Sequence, residues 1–336
     1  MSRHVTLGPG REFDAVRALL AQWGTTAIGI GDDGAVLDVP AGSRLVVSTD
    51  STVEEVHFRP QWLTAEEIGW RATMAALSDL AAMGAAPLGV LLALTVPARW
   101  RAALGALAEG IGAAARAQGA PIVGGDVTDG DRLALAITVL GHTPRPLSRA
   151  GAKPGDRLFV TGWLGGPGAA LAAWERGGTP DAAARARFAR PEARLAAGQW
   201  LAARGASAAI DLSDGLGGDA AHIAAASGAR CVLDLDAIPC VAGVTPLEAL
   251  ASGEEYELLV AMPEPSLRAS ASAGAGVDMA ASSLSFAFAQ AHAGLALTPI
   301  GRVEARGPDD APGVRGESGG RPVALPRAHD HFAGVP

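Results

Sequence analysis

Lysine is almost missing from this chain. Among 336 residues the only one is Lys153, set between Ala152 and Pro154. A P-loop needs Gly-Lys-Ser/Thr, and a eukaryotic-type protein kinase needs a strand lysine and a His-Arg-Asp run, so both are excluded. The two cysteines, Cys231 and Cys240, fit no zinc spacing and no disulfide framework, and read as small hydrophobic residues. No apolar run reaches the roughly 18 residues of a membrane span. Met1-Ser2-Arg3-His4-Val5 lacks the charged-then-apolar layout of a signal peptide, so a cytoplasmic protein with no membrane partner is expected. Basic residues number 27 against 35 acidic ones, a net charge of −8, which argues against a nucleic-acid partner, since that needs a basic face.

What the chain does have is aspartate after strand-like runs. Leu45-Val46-Val47 leads into Ser48-Thr49-Asp50, Ile122-Val123 into Gly124-Gly125-Asp126, and Ala208-Ala209-Ile210 into Asp211-Leu212-Ser213-Asp214. Gly31-Asp32-Asp33 and Asp79, the latter inside an apolar helix, add to the set. Buried carboxylates are costly unless paired or bound to a cation, so this recurrence points to a divalent-metal site. All-oxygen ligands favour magnesium, and magnesium on carboxylates usually brings substrate phosphates.

Each motif also has a plainer reading. Gly124-Gly125 lets backbone N–H groups approach a phosphate, or simply makes a turn. Asp211 and Ser213 are expected on one side of an extended segment, with Asp214 as ligand or N-cap of the helix that follows. Asp79 could pair with Arg71 or with an arginine of the other domain. Arg149 is either a phosphate clamp or a solvated linker arginine, and His57 either a ligand or a packing residue. The turn Gly162–Gly168 reads as a strand-to-helix connection.

The fold class is α/β, an α+β sandwich in two domains, 1–146 and 147–336, joined through the proline-rich stretch 144–155. A helix is expected within 1–27, carried by Phe13, Val16, Leu19, Leu20 and Trp23, two strands within 28–60, and a buried helix over 64–83 with Thr64 as N-cap and Asp79 pointing inward. Further strands are expected at 88–96, 121–126, 133–141, 157–161, 208–212, 230–235 and 256–262, with helices at 98–118, 169–176, 195–204 and 216–227. Residues 266–295 read as partly helical and 304–322 as a mobile loop.

The motifs GIGDDGAVL (29–37), STDSTVEEVHF (48–58), ATMAALSDLAAMGAAP (72–87), GGDVT (124–128), LSRAGAKPGD (147–156), IDLSDGL (210–216), SGEEYEL (252–258) and HDHF (329–332) together resemble the thiamine-monophosphate kinase family of the aminoimidazole-ribonucleotide-synthetase-like superfamily. The resemblance implies transfer of the ATP γ-phosphoryl group onto the phosphate of thiamine monophosphate, with ATP as co-substrate and several Mg²⁺ ions. It implies Asp33, Ser48, Thr49, Asp50, Asp79, Asp126, Asp211 and Asp214 as magnesium positions. It implies Gly125, Arg149 and Ser213 as ATP contacts, and His57, Glu254 and His329 as thiamine contacts. It also implies a homodimer whose N-terminal sheets pair into a shared barrel. Two departures stand out: the family usually has Gly-Gly-Glu-Asp-Tyr where this chain has Ser252-Gly253-Glu254-Glu255-Tyr256, and an aromatic residue at the position of His329.

No general base is expected, because a phosphate oxygen is already deprotonated near neutral pH, and no histidine–aspartate pair is evident near these motifs. Two rivals remain. An ATP-dependent ligase of the same superfamily would carry an Asp-Gly-Val-Gly-Thr-Lys run where Asp50-Ser51-Thr52-Val53-Glu54 stands. A non-catalytic nucleotide-binding protein would have no reason to keep all the aspartates.

Overall fold

The computed structural model describes residue 4 and residues 11–30, 34–269, 276–307 and 310–326. The expectations placed on Asp33 and His329 lie outside the described residues. The chain has a two-domain α/β fold with mixed sheets. Its contacts divide it into one unit of residues 1–80, 85–145 and 189–195, and a second of 81–84, 146–188 and 196–336.

The first unit runs α1 (Arg11–Trp23), β1 (Arg44–Val53), α2 (Ala65–Ala82), β2 (Ala86–Thr95), α3 (Leu104–Ala117), β3 (Ile122–Thr128) and β4 (Ala134–Thr143). The sheet order is β1-β4-β2-β3, antiparallel except for the parallel β2–β3 pair. Strand alternation sends Val46, Val90, Leu92, Leu94, Leu135, Ile137 and Val139 into the core. Leu80 of α2 packs against Gly141 on that face. The α2–α3 contact is made by glycines: a Cβ on Gly110 would lie 1.9 Å from the Glu66 carbonyl oxygen, and one on Gly69 2.2 Å from that of Leu107. Backbones this close leave no room for side chains. A reciprocal capping box starts α2. Thr64 Oγ1 accepts from the Glu67 N–H at 3.2 Å, and Glu67 Oε2 accepts from the Thr64 N–H at 2.9 Å.

The second unit contains β5 (Arg157–Thr161), α4 (Gly166–Glu175), α5 (Ala182–Ala189), α6 (Leu195–Ala203), β6 (Ala208–Asp211), α7 (Leu216–Ser227), β7 (Arg230–Asp234), α8 (Pro246–Ala251), β8 (Leu258–Met262), α9 (Glu264–Arg268), α10 (Val277–Ala291), β9 (Leu297–Glu304), β10 (Gly313–Ser318) and β11 (Arg321–Val323). Its seven strands are ordered β11-β10-β7-β9-β5-β8-β6. Only β10–β7 is parallel. Leu158, Val160, Ile210, Ile223, Leu259 and Ile300 belong to one buried cluster on this sheet.

Two expectations are corrected. Segment 28–60 holds one strand, β1, not two; among its described residues 34–43 form none. Residues 304–322 are not a plain mobile loop, since β10 adds to β7 and turns through Gly319 and Gly320 into β11. Its polar sequence misled because β10 and β11 form an edge ribbon, and Arg315 and Glu317 of β10 are ion-paired with each other and with Glu304 and Arg302 of β9.

Candidate active site

In the first unit, β1 alternates so that Ser48 and Asp50 are half-buried on the core-side face, while Thr49 and Ser51 are exposed on the other. Ser48 Oγ donates to Asp79 Oδ2 at 2.5 Å, joining β1 to the last turns of α2. Asp50 Oδ1 accepts from the Ser51 N–H at 2.8 Å. Thr49 does not join them by its side chain: it faces the opposite side, where its hydroxyl accepts from Thr138 at 3.0 Å.

Gly125 and Asp126 lie on β3, exposed, at the far edge of the same sheet. The row Asp50, Ile137, Leu92, Gly125 crosses all four strands. Three strand spacings put Asp50 and Gly125 about 14 Å apart. The structure therefore does not gather these two motifs around one point within the sheet. Gly125 has φ +156°, and a Cβ there would meet the Leu92 carbonyl oxygen at 2.1 Å. Beside it opens an apolar pocket lined by Val16, Leu19, Trp23, Ile30, Leu92 and Leu94.

His57 follows a bend built on a buried acid. Glu54 accepts from the Arg99 guanidinium at 2.7 Å, the Trp100 indole at 3.1 Å and the Leu133 N–H at 2.9 Å. Burial works against its charge, yet these donors hold its carboxyl below the ordinary value. Glu55 takes φ +65°, and the Val53 N–H donates to His57 Nδ1 at 3.1 Å. A neutral imidazole held this way carries its proton on Nε2.

In the second unit, β6 delivers Asp211, and Ser213 and Asp214 form the bend before α7. Asp211 is buried and Ser213 exposed, so they do not share one side. Asp214 does not cap α7 either: Gly215 occupies the cap position, with no side-chain bond. Asp219, inside α7, instead reaches back to the bend, its Oδ2 accepting from the Ser213 N–H at 3.1 Å and the Asp214 N–H at 3.2 Å. Burial, then the charges of Asp211 and Asp214, push the Asp219 carboxyl up to about 8. His222, one turn on, brings a ring nitrogen within 4.8 Å of carboxylate oxygens of Asp214 and Asp219. This places a histidine beside these acids without a hydrogen bond joining them. An acid and a histidine spaced i, i+3 on α7 were the available signal.

Glu254 lies against this bend. Its N–H donates to the Ser213 carbonyl at 2.8 Å, and the Tyr256 N–H to that of Leu212 at 2.9 Å. Tyr256 Oη donates to Glu254 Oε2 at 2.8 Å. Arg149 stands in a short 3₁₀ turn, exposed, with its carbonyl accepting from Ser227 Oγ at 2.8 Å. Thus the structure brings Asp211, Ser213, Asp214 and Glu254 together in this unit, and Ser48, Asp50 and Asp79 in the other.

Comparison with known proteins places this geometry. Residues 31–143 match the N-terminal domain of the AIR synthase related proteins, and 153–280 match their C-terminal domain. The thiamine-monophosphate kinase of Salmonella typhimurium is 36% identical over 339 residues, covering 96% of each chain. This chain belongs to the thiamine-monophosphate kinase family. A solved thiamine-monophosphate kinase from Stenotrophomonas maltophilia superposes with a TM-score of 0.76 at 33% identity, covering 96% of this chain and 100% of that one. AaThiL, solved with AMPPCP and TMP, superposes at 0.71 with 26% identity, covering 96% and 97%.

Ser252 and Glu255, the two residues of SGEEYEL at which the sequence departs from the expected motif, are bonded to each other. Ser252 Oγ donates to Glu255 Oε1 at 2.6 Å. The second departure, His329, lies outside the described residues.

Proposed function

We propose that the protein phosphorylates thiamine monophosphate to thiamine diphosphate, using ATP. Membership of the kinase family at 36% identity over 96% of the chain carries this reading. The donor set suits magnesium: Ser48, Asp50 and Asp79 on one unit, Asp211 and Asp214 on the other, offer oxygen only. Burial, and after it the charges of Asp211 and Asp214, raise the Asp219 carboxyl, and a cation there would relieve the charge part. Asp33, Thr49 and Asp126 belong to the set by family resemblance alone, since Thr49 turns its hydroxyl to the other sheet face and Asp126 stands on the far edge strand. Several bound Mg²⁺ ions would supply charge neutralisation between two polyanions, which is the main barrier to bringing them together.

The remaining work belongs to the chain. Gly125, Arg149 and Ser213 bind ATP. His57 presents a donor at Nε2 to an anionic substrate, and Glu254 and His329 orient the thiamine moiety. No residue abstracts a proton from the acceptor, whose attacking oxygen is already ionised, and transfer is direct and in line. Residues 1–146 form the ATP, magnesium and dimerisation domain, and 147–336 the second domain. The molecule acts as a cytoplasmic homodimer, its exposed sheet face with Leu45 and Val47 buried in a barrel shared by two copies.

An ATP/Mg²⁺ assay comparing thiamine monophosphate, free thiamine and formylglycinamidine ribonucleotide tests this. Only the first is expected to turn over. Turnover of free thiamine but not its monophosphate overturns the substrate, and turnover of the ribonucleotide favours the ligase reading.

A further inference from the structure

Beneath Glu254 lies a buried polar network that the reaction as described does not use. The turn 162–168 and the loop 252–257 are laced together by it. Glu255 Oε1 accepts from the Gly165 N–H at 2.5 Å and from Ser252 Oγ, which itself accepts from the Gly168 N–H at 3.0 Å. Arg187 Nη2, reaching in from α5, donates to the Trp163 carbonyl at 2.7 Å, to Glu255 Oε2 at 3.2 Å and to Glu257 Oε1 at 3.4 Å. Glu257 Oε2 in turn accepts from Thr161 Oγ1 at 2.6 Å. Ser252, Glu255, Glu257 and Thr161 are all buried.

The loop so held is strained. Glu254 and Tyr256, on either side of Glu255, take φ +64° and +52°. Residues with side chains adopt the left-handed region only where their surroundings enforce it. The enforcement comes from both sides. Glu255 is pinned to the turn, while the backbones of Glu254 and Tyr256 are pinned to Ser213 and Leu212. Two carboxylates sharing one guanidinium in a core carry a desolvation cost that an apolar cluster would avoid, so stability alone does not account for them.

We propose that Ser252, Glu255 and Arg187 are positioning residues, a brace that sets where Glu254 stands relative to Ser213 and Asp214. The inference rests on the reading of Glu254 as a substrate contact. The brace acts on the acceptor side: it fixes how thiamine monophosphate is held and leaves most nucleotide contacts alone. Burial also pushes the Glu255 carboxyl up to about 7, despite its Ser252, Arg187 and Gly165 partners, which is the signature of a group kept in place at a cost.

The test is steady-state kinetics on the full chain, with KM measured separately for thiamine monophosphate and ATP, alongside thermal melting. Ser252→Ala and Glu255→Ala are expected to raise KM for thiamine monophosphate about 10-fold or more, since small misplacements of a binding group are costly. KM for ATP should stay within about 2-fold. Glu255→Gln, whose amide oxygen can still accept from Gly165 and Ser252 but whose amide nitrogen cannot accept from Arg187, should recover part of the loss. If Ser252→Ala lowers the melting temperature but leaves both KM values unchanged, or raises both equally, the brace is wrong. Glu254→Ala separates the two claims. A raised KM for thiamine monophosphate in Glu254→Ala but not in Glu255→Ala removes the brace and keeps the contact; no change in either removes both.

Discussion

Ser48 Oγ and Asp79 Oδ2 lie 2.5 Å apart, so a strand residue and a helix acid from segments 31 positions apart form one oxygen-rich point. Their proximity gives Asp79, inside an otherwise apolar helix, a reason to be there. Asp79→Asn or Asp50→Asn should reduce turnover about 100-fold or more, because charge neutralisation at the phosphates is lost. The melting temperature should move by only a few degrees. Near-normal turnover at limiting Mg²⁺ in either variant contradicts the assigned role.

The hydrogen bond from the Val53 N–H to His57 Nδ1 predicts a tautomer. Nitrogen-15 NMR of the free enzyme at pH 8 should show His57 neutral with its proton on Nε2. His57→Gln should weaken thiamine monophosphate binding more than ATP binding. A proton on Nδ1 would mean that the bend does not orient the ring.

Glu255 gives a pH dependence with a definite sign. Its carboxyl, ordinarily at 4.5, is raised to about 7 in the folded protein. The folded state therefore holds a proton that the unfolded chain releases. This contribution to stability is full below about 4.5 and lost as pH rises through about 7. Compared with wild type, Glu255→Gln should lose less melting temperature between pH 5 and 8. Parallel curves for the two proteins would show that Glu255 does not titrate in this range.

The glycine contact between α2 and α3 is a stability prediction independent of the chemistry. Gly110→Ala places a Cβ against the Glu66 carbonyl with no flexible side chain to yield. A loss of about 1–3 kcal/mol is expected from the forced shift of backbone, read by urea unfolding. An unchanged midpoint would mean that the helices separate more easily than their packing implies.

Part of the fold around the proposed site was legible because small residues and aspartate interrupt apolar runs, although Asp50 and Asp126 fall within β1 and β3 rather than at their ends, and only Asp211 closes its strand, β6. The capping of α2 by Thr64 and the inward turn of Asp79 follow from local chemistry as well. What was not legible depends on distant pairings. Nothing local to Asp219 says that it, rather than Asp214, satisfies the N–H groups before α7, since that depends on the bend at Ser213. Arg187 lies 68 residues from Glu255, and only the fold brings them together. The ribbon of β10 and β11 looked like a loop because its pairing partner, β7, is far away in sequence.

The most direct test of the account is the stereochemical course at phosphorus, using ATP made chiral at its γ-phosphorus with thiamine monophosphate as acceptor. Direct in-line transfer between two anions, with no group on the protein taking the phosphoryl, predicts inversion. Retention would mean an intermediate phosphorylated on the protein, and would contradict the mechanism argued here.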